Sequence, residues 1–171
     1  MIGNEQEKEF LKLYDDLADP IFRHCFFRVS DREKAKDIMQ ETFTRTWEYL
    51  AKGETVKNLK AFVYRVANNL IIDSYRKKKE DSLDRMQEDG FDIGVDEREK
   101  IMDMLSGREV IALMADLGDK YREVIVMRYI DDLMPREIAE IIGESENVIS
   151  VRLHRGLRQL RDLIKKSEEL S

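Results

Sequence analysis

Between Val148 and Lys166 six side chains are basic, Arg152, Arg155, Arg158, Arg161, Lys165 and Lys166, and Asp162 alone is acidic. Such a row can neutralise phosphates and release the counterions condensed on a polyanion, even in a chain whose net charge is −6. An isolated basic helix is more often a solvated face than a nucleic-acid contact. What precedes this one reverses the balance. PREIAEIIG reads as an amphipathic helix with proline in its first turn and glycine after its last, and soon afterwards a long helix opens at Ser145. A helix, a tight turn at Gly143 and a second, basic helix form the signature of a DNA-binding helix-turn-helix. Near the start of the second helix, which begins at Ser145, Asn147, Ser150 and Val151 are short enough to approach base edges. Arg152, Arg155 and Arg158 further along would reach guanine or hold phosphates.

The elements that must position these groups are all predicted to be helices, with only 2 prolines and 8 glycines as punctuation. In the N-terminal half, Phe10, Leu11, Tyr14, Leu17, Ile21 and Phe22 form one apolar stripe, with Pro20 expected to kink the helix or start another. Ser30, three residues before Glu33, is expected to cap the next, whose stripe is Ala35, Ile38, Met39, Phe43, Trp47 and Leu50. That periodicity leaves Asp37, Gln40, Glu41, Thr44 and Arg45 on another face. A loop at residues 52–58 follows. Leu59, Phe62, Val63, Val66 and Leu70 then mark a third stripe, ending in the basic run from Arg76 to Lys79. In the C-terminal half, Ser106 and Glu109 repeat the capping-box pattern, a helix ends near Leu117, and Asp119 opens another reaching Ile130. Ile149, Leu153, Leu157, Leu160 and Ile164 form the core stripe of the last helix, in which Gly156 costs up to about 1 kcal/mol of helix propensity.

Residues 81–106 carry 9 acidic and 3 basic side chains, so the whole net charge of −6 can be assigned to them. With Gly90 and Gly94 and few large apolar residues, they read as an acidic linker between two small helical domains, residues 1–80 and 107–171. The predicted fold class is therefore all-α. No run approaches the roughly 20 apolar residues of a membrane span, and the acidic start MIGNEQEKEF lacks the apolar stretch of a secretory signal. One cysteine fits a reducing cytoplasm, the expected location. His24 and Cys25 are adjacent rather than at metal-ligand spacing, and neither a phosphate-binding glycine loop nor a catalytic triad is present. The sequence thus offers no catalytic, metal or cofactor site, and no enzyme is expected.

Three segments, in order, resemble the extracytoplasmic-function class of bacterial sigma factors. DREKAKDIMQETFTRTWEYL is similar to the family's second-region helix, LKAFVYRVANNLIIDSYRKKK to its promoter-melting segment, and the stretch from Tyr121 to Ile164 to its fourth region. The resemblance implies that Asp37, Gln40, Glu41 and Thr42, in the DxxQETF pattern, dock on the clamp helices of the largest subunit of core RNA polymerase. It implies that the loop from Lys52 to Asn58 captures a flipped base of the non-template strand. Lys57, Lys60, Tyr64, Arg65, Asn69, Arg76 and Lys77 would contact start-proximal promoter DNA. Ser145, Asn147, Ser150, Val151, Arg152, Arg155 and Arg158 would contact the upstream element. Phe62 and Trp47, on apolar stripes, are expected in the core rather than as stacking platforms. An anti-sigma factor is implied as a partner by family habit alone.

Where relatives often carry Thr-Val-Lys-Ser-Arg, this chain has Val148, Ile149, Ser150, Val151 and Arg152, and Asn68 stands where arginine is common. Two other classes of function compete with a promoter-melting sigma factor. One is a helix-turn-helix regulator, which leaves DIMQETF and LKAFVYRVANNLIID without a role. The other is a polymerase-binding or sigma-sequestering protein that no longer reads DNA.

Overall fold

Long helices with few breakers dominate the computed structural model, which describes residues 3–81 and 107–170 and is wholly helical apart from short connections among them. The chain divides into two compact units. The first is built on α1 (Asn4–Val29), α2 (Arg32–Ala51) and α3 (Leu59–Asp81). The second is built on α4 (Gly107–Asp116), α5 (Asp119–Ile125), a π-helical turn (Val126–Ile130), α6 (Pro135–Ile142) and α7 (Glu146–Glu169). The acidic linker expected at 81–106 and the cap expected at Ser106 lie outside the described residues, save Asp81 at the end of α3.

In the first unit α1, α2 and α3 pack on one another in pairs, burying Ile21, Cys25, Ala35, Phe43, Val63, Ala67 and Ile71. Aromatic rings close one end of α1 against α2: Phe10 lies 5.0 Å from Trp47 and Tyr14 4.9 Å from Phe43 between centroids. Such pairs contribute about 0.5–1.5 kcal/mol beyond their burial. Pro20 does not start a second helix, since α1 continues through it. Proline removes the bond to the Asp16 carbonyl, and Asp16 is exposed, so water can take that carbonyl. Nor does Ser30 cap α2. It ends α1 in the left-handed region at φ 57, its N–H donating to the Phe26 carbonyl, and Asp31 caps α2 by accepting from the Lys34 N–H at 3.1 Å. A third correction concerns the buried face of α3. Val63, Tyr64, Ala67, Asn68 and Ile71 are buried, whereas Leu59, Phe62, Val66 and Leu70 are half-buried. α3 meets both α1 and α2, so its buried arc is centred between the two neighbours and admits polar atoms that find partners. Asn68 accepts a 2.6 Å hydrogen bond from the buried Arg28 guanidinium, and the Tyr75 hydroxyl donates to the Arg28 carbonyl. Both tie the end of α1 to α3.

The second unit is organised around α7, on which α4 and α5 pack. Arg122 donates to the carbonyls of Leu117 at 2.7 Å and Ala115 at 3.1 Å, satisfying groups that the end of α4 leaves open. The helix expected from Asp119 to Ile130 changes hand-hold rather than running uniformly: after Ile125 the backbone widens into the π-helical turn. Pro135 opens α6, the Met134 N–H donates to the Glu137 carboxylate at 3.0 Å, and Gly143 ends the helix at φ 84, a conformation natural to glycine. The Ser145 hydroxyl accepts from the Val148 N–H at 3.2 Å and starts α7. Ile149, Leu153, Leu157, Leu160 and Ile164 are buried along it, as their spacing requires.

Gly156 faces the same core. A Cβ there would meet Cγ1 of Ile125 at 2.9 Å and Cβ of Tyr121 at 3.3 Å, so α7 approaches α5 more closely than any larger residue allows. The glycine that weakens the helix locally is the one that lets two helices touch.

Candidate nucleic-acid and partner interfaces

The basic helix α7 turns its unburied side outward through steps of three and four. Ser145, Asn147, Ser150, Val151 and Arg155 are exposed on it. His154 is exposed on the same face, between Ser150 and Arg158 in the helical rows. Its spacing of three from Val151 and seven from Asn147 assigns it to this face from the sequence alone. The cations are not equally available. Arg152 is largely covered, its side chain 19% exposed, and lies 3.4 Å from the Glu144 carboxylate in the preceding turn. Arg136 and Glu146 make a looser, exposed pair at 3.7 Å across the same turn. Arg158, expected among the DNA contacts, is buried at 6% exposure even though it lies off the apolar stripe. A covered guanidinium cannot meet a phosphate in this arrangement, and helical position alone does not reveal what covers a side chain. Arg155, Lys165 and Lys166 remain exposed for that role.

In the first unit the loop after α2 is held at both ends. Gly53 takes φ 86, its N–H donating to the Leu50 carbonyl, and the Asn58 side chain accepts from the Ala61 N–H at 3.1 Å to open α3. Residues 52–55, 57 and 58 are exposed, with Val56 half-buried. Of the residues expected near start-proximal DNA, Lys57, Lys60, Arg65, Asn69, Arg76 and Lys77 are exposed. Steps of four and seven put Arg65, Asn69 and Arg76 on one side of α3. Tyr64 is not with them. It is 1% exposed on the opposite, buried side, edge-on to His24 at 5.4 Å between ring centroids. Trp47 is half-buried in the Phe10 cluster, as its stripe indicated. Phe62 is half-buried and pairs with Tyr49 across the base of the loop, the ring centroids 4.8 Å apart.

α2 presents Asp37, Gln40 and Glu41 to solvent within one turn. Glu41 is held by Arg45, which donates from Nε at 3.0 Å. Thr42 does not share this face: it is fully buried, and its hydroxyl donates to the Ile38 carbonyl at 2.7 Å, one turn back. The motif's threonine therefore serves the interior of the bundle while its acids and amide form the surface. Among the described residues no helix is long and apolar enough to cross a membrane.

Two family models match the segments that carry these surfaces. Residues 13–80 match the family Sigma-70 region 2, and residues 107–160 match Sigma-70, region 4. The chain is 31% identical over 168 residues to the ECF RNA polymerase sigma factor SigW of Bacillus subtilis (strain 168), covering 90% of each. It is 31% identical over 166 residues to the RNA polymerase sigma factor SigV of the same strain, covering 91% of this chain and 90% of the relative. Among solved structures the fold is similar to CnrH in complex with the cytosolic domain of CnrY, with TM-score 0.67 and 20% identity over 94% of this chain and 90% of that one. It is also similar to the sigma factor RpoE in complex with the anti-sigma factor NepR from Bartonella quintana, with TM-score 0.64 and 21% identity over 92% and 98%. At those identities the structural likeness speaks for the fold.

Proposed function

The chain belongs to the sigma-70 family, in its extracytoplasmic-function class, and from that premise we propose how its surfaces share the work of a factor that binds core RNA polymerase and directs initiation at promoters. The exposed face of α2 with Asp37, Gln40 and Glu41 docks on the polymerase clamp helices. The loop at 52–58, with Lys57, Lys60, Arg65, Asn69, Arg76 and Lys77, takes the start-proximal element and helps melt it. The outer face of α7 reads the upstream element: Asn147, Ser150, Val151 and His154 lie nearest the bases, and Arg155 and the terminal lysines lie nearer phosphates. Thr42, Tyr64 and Arg158 act from the interior, through packing. Opening a duplex without a chemical energy source requires only that the unstacked base and the displaced strand be held, so the protein carries no catalysis of its own. It works in the cytoplasm, and an anti-sigma factor is among its partners, as one is for RpoE.

The observation that carries this reading is the pair of matches, region 2 then region 4, each on a unit whose expected contact face is mostly exposed. The test is reconstitution with core polymerase and selection of transcribed promoters from a randomised template pool. Recovered templates should share two elements. Asp37→Ala combined with Gln40→Ala should lower co-purification with core polymerase by at least about tenfold with helix content unchanged, because anchors at the centre of an interface dominate its energy. Full binding by that variant would remove α2 from the docking role. Polymerase binding without any promoter-dependent transcript would instead leave a sequestering protein.

A further inference from the structure

Two acids flank Ser145 where α6 gives way to α7, and each lies against a cation. Glu146 is paired with Arg136 at 3.7 Å, but Arg136 is 88% exposed, and an ion pair so open to water is weak and screened by salt. Glu144 is placed differently. Its Oε1 accepts from Nη2 of Arg152 at 3.4 Å, and with little of the Arg152 side chain reaching solvent, water competes poorly for that contact. The pair is not needed to make the turn. Gly143 in the left-handed region and Glu144 both direct their N–H groups to the Ala139 carbonyl, and the Ser145 hydroxyl caps α7. The Glu144 carboxylate is thus a charge added to a backbone that closes without it. Arg152 and the exposed Arg155 are three residues apart, so they are neighbours on the surface of α7. A DNA backbone that reaches Arg155 passes close to Arg152. To a guanidinium, a carboxylate offers the same charge-assisted hydrogen bonds as a phosphate.

We propose that Glu144 withholds Arg152 from the DNA backbone: its carboxylate occupies the guanidinium that would otherwise add a phosphate contact beside Arg155, and so weakens the hold of α7 on the upstream element. The inference rests on reading α7 as the helix that takes that element, and it adds the residue of the turn that sets the strength of the contact. Arg152, which the resemblance assigns to DNA, contributes nothing to binding while Glu144 is in place. The backbone is held by Arg155, Lys165 and Lys166.

The experiment measures binding of the full chain, assembled with core polymerase, to a linear promoter recovered from the randomised pool, over a series of salt concentrations. Glu144→Gln keeps the shape of the side chain and removes its charge. It should tighten binding by about threefold or more and steepen the salt dependence by about one released counterion. Arg152→Ala should stay within about twofold of the parent, and in that background Glu144→Gln should have no effect, a coupling read by the double-mutant cycle. Glu146→Gln removes an equal charge next to the same turn and should also stay within about twofold, because its partner is already open to water. Weaker binding by Glu144→Gln would overturn the proposal by making Glu144 a support that aims Arg152 at DNA. A loss in Arg152→Ala, a gain in Glu144→Gln that persists without Arg152, or an equal gain in Glu146→Gln would overturn it too. Failure of the underlying reading looks different. If Asn147→Ala combined with His154→Ala selects the same promoters as the parent, α7 does not read the upstream element. If that variant shifts the selection while Glu144→Gln is silent, only the role of the pair fails.

Discussion

Gly156 shows how a single residue is read differently by the chain and by the fold. Along the helix it is a defect, and alanine would recover about 1 kcal/mol of propensity. Across the helix it is a contact, because the added methyl would come within 2.9 Å of Ile125 Cγ1. Overpacking of that kind costs about 1–3 kcal/mol, so the second effect outweighs the first. Gly156→Ala should lower the thermal midpoint and cost up to about 2 kcal/mol in denaturant unfolding. Trimming the opposing side chain with Ile125→Ala should make the glycine substitution less harmful, a coupling measurable by a double-mutant cycle. A more stable Gly156→Ala protein would show that propensity governs this position. Thr42, Tyr64 and Arg158 teach the same lesson from the polar side. Each has a side chain suited to recognition, and each is buried.

At the scale of elements, the loop between α2 and α3 carries the most specific expectation. Its ends are pinned by Gly53 and by the Asn58 cap, and most of its side chains are exposed between two helices with firm cores. A short exposed loop on a rigid bundle can enclose an extruded base, and binding that base offsets an unstacking cost of a few kcal/mol. Replacing residues 53–56 with a Gly and Ser segment should leave core binding and closed-complex formation intact. It should reduce the open complex on duplex promoter, and a premelted template should recover transcription. Equal opening by the exchanged protein would make the loop a connector and move melting to the exposed face of α3 with Arg65 and Asn69. In α6 and α7 the division of labour is different. Pro135 at the start of α6 and the caps at Gly143 and Ser145 set the turn, and the Glu144–Arg152 pair joins that turn to the second helix.

For the whole molecule the governing quantity is charge. The chain is a net anion of −6 that must bind a polyanion, and the deficit resides in residues 81–106. Overall repulsion weakens non-specific association while leaving local cations able to act once polymerase has positioned them. Replacing the 9 acidic residues of that segment by their amides should raise the affinity of the isolated chain for random duplex DNA and steepen its dependence on salt. The ratio of promoter to random DNA binding by the assembled polymerase should fall. Gel-shift titrations over a salt series measure both, and unchanged random-DNA affinity would show that these acids do not restrain the basic helix.

Element type and many of the helix boundaries were legible in the amino-acid order, because they rest on interactions within a few residues. The apolar period of α2 and α7, the proline that opens α6, the glycine that ends it and the serine that caps α7 are all local signals. So was the resemblance, carried by DIMQETF and by the basic second helix of the turn. Tertiary structure decided which arc of each helix is covered. α3 buries Tyr64, Ala67 and Asn68 because it faces two neighbours, and Asn68 fits there because Arg28, 40 positions away, supplies its donor. Thr42 could go inside because the Ile38 carbonyl of its own helix accepts a hydrogen bond from its hydroxyl. Periodicity gives a helix one apolar axis, but burial is summed over every element that packs against it. That sum depends on contacts between residues distant in sequence, so it exists only in the folded chain.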